Sequence, residues 1–297
     1  MAFPFVLFFW EGLDRLSRKF EARSSTVNMK EKKFGISGST LKWIAIITML
    51  IDHIGASILT KQLLYMNMHP QAFGGVTAEF VEQFNNLYFV MRVTRKIGRL
   101  AFPIFCFLLV EGFLRTKNLK KYMLRMALFA LLTEVPFDLV FTGTPVYWGY
   151  QNVMVTLFIA LLTMWGCKVV VGYALSFFEK SQKGKAWILP TIILIYAAYT
   201  VAGSLIADLV QCDYGGKGVA PIMLIYFLRF YKPAQMLGGA ASFYWELPAP
   251  ASFLPIWLYN GERGMKMKYF FYAFYPVHLL ILYLICVMMG LGNIAVV

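Results

Sequence analysis

Charged residues are scarce in this 297-residue chain: Asp, Glu, Lys and Arg make up 14% of it, against 59% hydrophobic residues. Soluble domains carry about a quarter charged residues, so this scarcity excludes a large soluble domain. Acidic residues are the rarer sign, with 15 Asp and Glu against 28 Lys and Arg. The basic residues form short runs between apolar stretches. That pattern is typical of the cytoplasmic loops of membrane proteins and argues against a nucleic-acid partner.

Cysteine and histidine are also few, with four and three residues respectively. The cysteines are widely spaced, so neither a disulfide framework nor a metal-ligand pattern is present. The sequence contains no phosphate-binding loop, dinucleotide fingerprint or zinc signature. We therefore expect no bound metal.

Long apolar stretches predict an all-α, polytopic membrane protein with about eight to ten membrane segments. The predicted segments are residues 41–60, 84–98 (short or interfacial), 100–114, 122–142, 152–178, 187–210, 218–231 and 269–290. Residues 235–259 differ, because glycines and prolines interrupt the apolar pattern and Glu246 lies in the middle. We expect a broken or re-entrant segment there, since irregular backbone at membrane depth must be buried in protein or line a cavity.

The chain divides into an N-terminal cytoplasmic or interfacial segment, residues 1–37, and a membrane domain, residues 38–297. Met29 is a second possible start of translation. The distribution of Lys and Arg predicts a cytoplasmic N-terminus and an outside C-terminus. Four basic residues between 92 and 99 fall on the outer side in this scheme. They either enter a cavity or indicate a span that the count misses.

Asp52 and His53 lie side by side within the first apolar span. Ionisable residues inside a membrane usually mark a proton path, an ion site or chemistry. His53 suits a general base because the unperturbed pKa of histidine is near neutral; the alternative is a structural hydrogen bond between helices. Lys42 precedes His53 by eleven residues, so both share a helix face with a rise of about 16 Å between them. Asp52 points elsewhere and is expected to pair with an arginine.

Further polar residues in apolar segments are candidates for a cavity. Glu111 either pairs with Arg115, four residues on, or belongs to the site. Glu134 and Asp138 share a helix face and are expected to meet an arginine among Arg92, Arg95 and Arg99.

Four more candidates, Gln151, Asn152, Tyr275 and His278, lie later in the chain. Gln151 and Asn152 open a span, where they either orient a carbonyl group or bond between helices. At the end of the run Tyr275 to His278, His278 either faces His53 or anchors a kink at Pro276.

The runs LKWIAIITMLIDHIGA, IGRLAFPIFCFLLVEGFLRTKNLKKYMLRM, TEVPFDLVF, QNVMVTL and YFFYAFYPVHLLILYLI resemble the TraX family of bacterial membrane proteins. The likeness covers most of residues 38–290, in the same order. The family takes its name from N-terminal acetylation of conjugative pilin, and it is similar to integral membrane acyltransferase family 3. That group carries an arginine, ten residues and a histidine in its first helix. Lys42 and His53 have this spacing here, although lysine lacks the bidentate fork of arginine.

The resemblance implies an acyltransferase of the bacterial inner membrane that uses cytoplasmic acetyl-coenzyme A. The acceptor is a peptide N-terminus, a glycan or a small molecule, and the oligomeric state stays open. The implied phosphate contacts are Lys42, Arg115, Lys120, Lys121 and Arg263. The implied catalytic residues are His53 as base, with Asp52, Arg99 and Asn152. The implied cavity residues are Glu111, Glu134, Asp138, Gln151, Tyr275 and His278.

A proton-coupled transporter is the alternative function. It accounts equally for Asp52, His53, Glu134 and Asp138, and for the broken segment near 235–259. The two hypotheses differ in one respect, because coenzyme A stabilises a transferase that binds it and leaves a transporter unchanged.

Overall fold

The computed structural model describes residues 34–181 and 185–296, and every regular element in these residues is helical. Most of the predicted N-terminal segment, residues 1–37, lies outside them. The helices are α1 Gly38–Ile54, α2 Thr60–Met68, α3 Ala78–Gly98, α4 Ala101–Arg115, α5 Leu119–Thr142, α6 Val153–Ser181, α7 Lys185–Leu209, α8 Gly215–Phe227, α9 Lys232–Ser242, α10 Phe253–Trp257 and α11 Lys268–Met288.

Five helical stretches in the described residues are long and apolar enough to cross a membrane. They are Gly38–Met68, Ala78–Arg115, Val153–Glu179, Ala186–Leu209 and Tyr269–Met288. The prediction of an all-helical, multi-pass membrane protein is confirmed. The predicted eight to ten segments divide into these five spans and the shorter or more polar helices packed among them.

The first span is longer than the sequence predicts. It continues past residue 60 through a π-helical turn, Gly55–Leu59, into α2. The predicted end of this segment at residue 60 is therefore wrong, because the helix continues to Met68. Lys61 lies within this helix and is fully buried. Its ammonium group donates to the Gly292 carbonyl oxygen at 3.3 Å. The π turn begins two residues after His53, and such turns occur frequently at functional sites.

Helices α1 and α3 approach each other closely at two glycines. A Cβ atom on Gly98 would overlap the Asp52 side chain, and one on Gly55 would overlap Thr94. Small residues at such crossings let helices in a membrane pack backbone to backbone. The crossing brings the polar residues at the end of α3 against Asp52 and His53.

The prediction of a broken segment at residues 235–259 is confirmed. Helix α9 ends at Ser242, and a short 3₁₀ helix, Ala249–Ser252, leads into α10. The Ser252 hydroxyl donates to the Leu100 carbonyl oxygen at 2.9 Å. This bond attaches the broken segment to the junction of α3 and α4, next to Arg99.

Two groups of buried apolar side chains form the core. The larger one joins α4, α6 and α8 through residues such as Ile104, Leu161 and Ile222. The smaller one joins α1, α5 and α11 through residues such as Val140 and Leu279. Phe105 and Val153 pack against both groups, and both also line the main cavity. The cavity therefore lies where the two cores meet.

The two ends of the bundle differ in charge. At one end, here called the basic end, the start of α1, the end of α4 and the loop 260–264 meet. Gly38 N donates to Glu262 O at 2.8 Å, and the Arg115 guanidinium donates to Gly261 O at 2.7 Å. The other end, here called the cavity end, includes the loop 143–152 and the start of α6.

Candidate functional site

A polar cavity of about 410 Å³ opens among α1, α3, α4, α5, α6 and α11 toward the cavity end. A cavity with several charged groups inside an apolar bundle is a candidate site for binding or chemistry. Its polar lining consists of Asp52, His53, Thr60, Arg95, Arg99, Tyr150, Asp213, Tyr214 and Tyr275. Phenylalanines and small apolar residues complete the wall.

Asp52 forms an ion pair with Arg95 across the crossing of α1 and α3. The Arg95 Nη1 donates to Asp52 Oδ2 at 2.5 Å. The second carboxylate oxygen, Asp52 Oδ1, is buried and has no hydrogen-bond partner in the described residues. The expected pairing of Asp52 with an arginine is therefore observed, and one acceptor atom remains for a ligand or water.

His53 meets His278 across the interface of α1 and α11. The distance between His53 Nδ1 and His278 Nε2 is 2.7 Å. Tyr275 lies one turn before His278, with its ring centroid 5.8 Å from that of His53. Its hydroxyl is buried and has no hydrogen-bond partner in the part of the chain that the structure describes. His53 and Tyr275 line the cavity, whereas His278 lies behind them.

Arg99 connects the cavity to the broken segment. Its Nη1 lies 2.8 Å from Glu246 Oε1 and 3.5 Å from the Tyr214 hydroxyl. Burial raises the pKa of the Glu246 carboxyl to about 7, although the positive charge of Arg99 acts in the opposite direction. The acid that interrupts residues 235–259 thus holds the arginine that faces the cavity.

Asp213 and Tyr150 close the cavity from the loops. The Tyr150 hydroxyl donates to Asp213 Oδ1 at 2.6 Å. The backbone fixes both residues, because Asp213 N donates to Gln151 O at 2.8 Å and Gln151 N donates to Gln211 O at 3.0 Å. Burial raises the pKa of the Asp213 carboxyl above its usual range, while the hydrogen bond from Tyr150 opposes that rise.

Asn152, predicted to act on the reacting group, lies outside the cavity lining. It is fully buried and its amide donates to a Glu134 carboxylate oxygen and, at 2.9 Å, to Ala130 O. Glu134 therefore meets Asn152, and the expectation that it pairs with an arginine is wrong. These bonds hold α5 against the start of α6. Asn152 therefore bonds between helices, which was the alternative to a role in orienting a carbonyl group.

Three more predicted cavity residues also lie elsewhere. The Asp138 carboxylate accepts from Tyr147 N at 2.7 Å rather than from an arginine, so that expected pairing is wrong as well. The Gln151 side chain donates to Trp148 O at 2.9 Å within its own loop. Glu111 pairs with Arg115 at 2.6 Å near the basic end, as the spacing of four residues allows.

The predicted phosphate contacts lie at the basic end, far along the helices from the cavity. Lys42 stands over the Phe271 ring at 5.3 Å, and Arg263 O accepts from Ser39 N at 3.0 Å. Arg115 reaches the same loop through Gly261. Lys120 and Lys121 lie in the first turn of α5, a few residues after Arg115.

Arg95, Tyr150, Asp213 and Tyr214 line the cavity, and Glu246 pairs with Arg99, but none of these five was predicted as a site residue. Two of them carried a signal, because Glu246 is an acid within an apolar segment and Arg95 is a cation beyond the expected cytoplasmic loops. The others depend on loop contacts that no local pattern reveals. The described residues contain no group of three His, Cys, Asp or Glu side chains placed to hold a metal ion.

Comparisons with known proteins give two matches. Residues 37–286 match the sequence profile of a family described as TraX protein. The chain is also 24% identical over 271 residues to a protein of Dichelobacter nodosus named probable fimbrial assembly protein FimC, serogroup H1. That alignment covers 84% of this chain and 96% of the relative. No solved structure gives a significant match.

Proposed function

The chain belongs to the TraX family, and from that premise we propose that it is a membrane acyltransferase with its reaction centre in the cavity around His53. The observation that carries the proposal is a histidine lining a cavity that also presents hydrogen-bond donors. These donors are the Arg95 and Arg99 guanidinium groups and the unpartnered Tyr275 hydroxyl. A base beside preorganised donors is what acyl transfer requires.

The acyl donor in this proposal is acetyl-coenzyme A, which approaches from the cytoplasm at the basic end. Lys42, Arg115 and Arg263 surround one loop there, and Lys120 and Lys121 begin the next helix. Arg115 is already engaged by Glu111 and Gly261, so Lys42 and Arg263 are the better candidates for phosphate contacts. The rise of about 16 Å from Lys42 to His53 is comparable with an extended pantetheine arm.

The chemical step transfers one acyl group and one proton. The nitrogen or oxygen of the acceptor attacks the thioester carbonyl carbon, and His53 accepts the proton that this amine or hydroxyl group loses. The carbonyl oxygen gains charge, and the Tyr275 hydroxyl and Arg99 are the donors available to stabilise it. The carbon–sulfur bond then breaks, and protonated His53 returns its proton to the leaving thiolate. The products are the acylated acceptor and free coenzyme A.

The acceptor lies outside the cytoplasm in this proposal. The positive charge of the loops at the basic end supports a cytoplasmic position for that end, with the cavity end at the outer side of a bacterial inner membrane. The name of the Dichelobacter nodosus relative refers to fimbrial assembly, which supports a peptide N-terminus of a surface protein as acceptor. A glycan or small molecule with a free hydroxyl or amine is the alternative.

The first experiment uses the full chain, purified in detergent, with acetyl-coenzyme A labelled in the acetyl group. We expect slow transfer of the acetyl group to water or to an added acceptor, with release of coenzyme A, at a rate that falls by about 10²-fold or more in His53→Gln. His69→Gln is the matched control, because His69 is exposed at the end of α2 and lies outside the cavity. Unchanged turnover in His53→Gln would show that a residue other than His53 is the general base. If the folded protein neither binds nor cleaves any acyl-coenzyme A, the assignment of the acyl donor is wrong and the proton-coupled transporter is favoured.

The basic end is tested separately. Lys42→Gln should raise KM for acetyl-coenzyme A with little change in kcat, because it removes a binding charge far from the reacting carbon. Lys96→Gln is the control, since Lys96 is exposed on α3 near the cavity end. Equal KM values for the two variants would remove Lys42 from the donor site.

A further inference from the structure

The imidazole rings of His53 and His278 are joined edge to edge. Their ring planes are parallel within 2° and their centroids are 5.0 Å apart, while the nearest nitrogens are 2.7 Å apart. The N···N distance and the two ring radii together account for the centroid separation. The rings therefore lie nearly in one plane, and the contact is a nitrogen-to-nitrogen hydrogen bond rather than a face-to-face stack.

The second nitrogen of His278 fixes the direction of that bond. His278 Nδ1 lies 2.7 Å from the backbone carbonyl oxygen of Phe274, one turn earlier on α11. A carbonyl oxygen only accepts, so His278 Nδ1 must carry the proton. A neutral imidazole has one N–H, which leaves His278 Nε2 as an acceptor. With both rings neutral, the hydrogen bond runs from His53 Nδ1–H to His278 Nε2.

The same reasoning assigns the atom of His53 that can act as a base. Since His53 Nδ1 carries the ring proton, its Nε2 carries the free lone pair. In residues 34–181 and 185–296, the hydrogen bond of the His53 ring runs through Nδ1, and none is made by Nε2. His53 lines the cavity and His278 does not. The lone pair is thus left for a group that enters the cavity.

We propose that His278 is the positioning residue that holds His53 in the tautomer with Nε2 unprotonated. This inference rests on the proposed function for its catalytic meaning, but the proton arrangement itself does not depend on it. When His53 Nε2 accepts a proton from the acyl acceptor, His53 Nδ1–H still donates to His278 Nε2, and no second proton moves. The Phe274 carbonyl oxygen thus orients His278, and His278 orients His53, as outer hydrogen bonds orient a catalytic or metal-bound histidine.

The direct test is nitrogen NMR of full-length protein labelled with ¹⁵N in the histidine rings. Only three histidines contribute signals, and His69→Leu removes one of them without touching the cavity. We expect both His53 and His278 to be protonated at Nδ1 and unprotonated at Nε2. A His53 signal with Nε2 protonated in the native protein would overturn the proposal.

Variants of His278 separate positioning from packing. His278→Leu fills the space without an acceptor, so we expect the His53 signal to change to, or mix with, the Nε2–H tautomer. Turnover should fall by roughly 10²-fold or more with KM nearly unchanged. His278→Gln offers an amide oxygen to His53 Nδ1–H and should restore the tautomer and most of the lost rate.

The results also distinguish this inference from the proposed function. A His53 tautomer that is unchanged in His278→Leu would overturn the role of His278 even in an active transferase. The predicted tautomer in a protein without acyltransferase activity would support the hydrogen-bond assignment and reject the function. If His278→Leu does not fold, the native spectrum and His278→Gln still decide the proton positions.

Discussion

The Arg95 guanidinium donates to the Asp52 carboxylate at 2.5 Å, although the two residues are 43 positions apart in the chain. The contact depends on the close crossing of α1 and α3 at Gly98, where the absence of a Cβ atom leaves room for the Asp52 side chain. It holds a negative and a positive group at the wall of the cavity, beside His53. Several expected outcomes follow from this wall and from the residues behind it.

Removing the arginine should destabilise the protein more than removing its neighbour on the same helix. Arg95→Leu leaves the largely buried Asp52 without its partner, and we expect a loss of about 2 kcal/mol. This is less than for a fully buried pair, because 31% of the Arg95 side chain is exposed. Arg92→Leu is the control, since Arg92 is exposed and bonds only weakly to Tyr88 at 3.4 Å.

Thermal unfolding in detergent measures the loss of stability in both variants. Adding Asp52→Asn to Arg95→Leu should recover part of the lost stability, because no unpaired charge then remains. Equal losses in Arg92→Leu and Arg95→Leu would contradict a stabilising role for the ion pair.

The crossing itself is tested with alanine at two glycines. Gly98→Ala puts a methyl group into the Asp52 side chain, so α1 and α3 must separate. We expect a loss of about 1–3 kcal/mol, as in overpacked cores, together with lower acyltransferase activity. Gly172→Ala, exposed on α6 with open space around the new methyl group, should be neutral or slightly stabilising. A Gly98→Ala protein with native stability would show that the helices are not held in close contact there.

Asn152 should affect stability rather than the chemical step. Its side chain bonds to Glu134 and Ala130 O, and it does not line the cavity. Asn152→Ala leaves these buried acceptors unpaired, which costs about 1–3 kcal/mol. The melting temperature should fall, while the protein that remains folded keeps its kcat. A large fall in kcat at unchanged melting temperature would instead support the catalytic role predicted from the sequence.

Glu246 should make stability depend on pH. Burial raises the pKa of its carboxyl from 4.5 to about 7. Between these values the folded protein holds a proton that the unfolded chain releases, so the unfolding free energy falls as the pH rises. The contribution of Glu246 is greatest below about pH 4.5, and at most about 3 kcal/mol of it is lost by pH 7.

The melting temperature measured from pH 4.5 to 7.5 checks this expectation. Glu246→Gln cannot titrate, so its melting temperature should decline less over that range than that of the native protein. Parallel curves for the two proteins would show that the Glu246 proton is not retained on folding.

Local pattern predicted most of the helices, the broken segment and the ionisable residues of the first span, but it missed the extension of that span to Met68. Apolar stretches of bilayer length specify membrane helices because no other open structure satisfies its backbone polar groups in lipid. An acid and a histidine in such a stretch are conspicuous because ionisable side chains are costly in lipid. The spacing of Glu111 and Arg115 left an ion pair and a site role as alternatives, and the structure contains the ion pair.

The contents of the cavity could not be predicted in this way. Glu134 and Asp138 lie on one helix face, yet their partners are an amide and a backbone N–H group from the next segment. Arg95 and Arg99 meet Asp52 and Glu246 instead. Which cation reaches which acid depends on helix crossings and loop paths, and a sequence pattern contains no distance between helices.

The sequence by itself determined that this protein is a multi-pass helical membrane protein of the TraX family with ionisable residues in its first span. Helical periodicity and the cost of charge in lipid are properties of a single segment, so they can be read along the chain. Only the tertiary structure decided that His278 lies against His53, and that Tyr275 and two arginines line the cavity beside His53. Those contacts join residues up to 225 positions apart, and packing between helices is what brings them together.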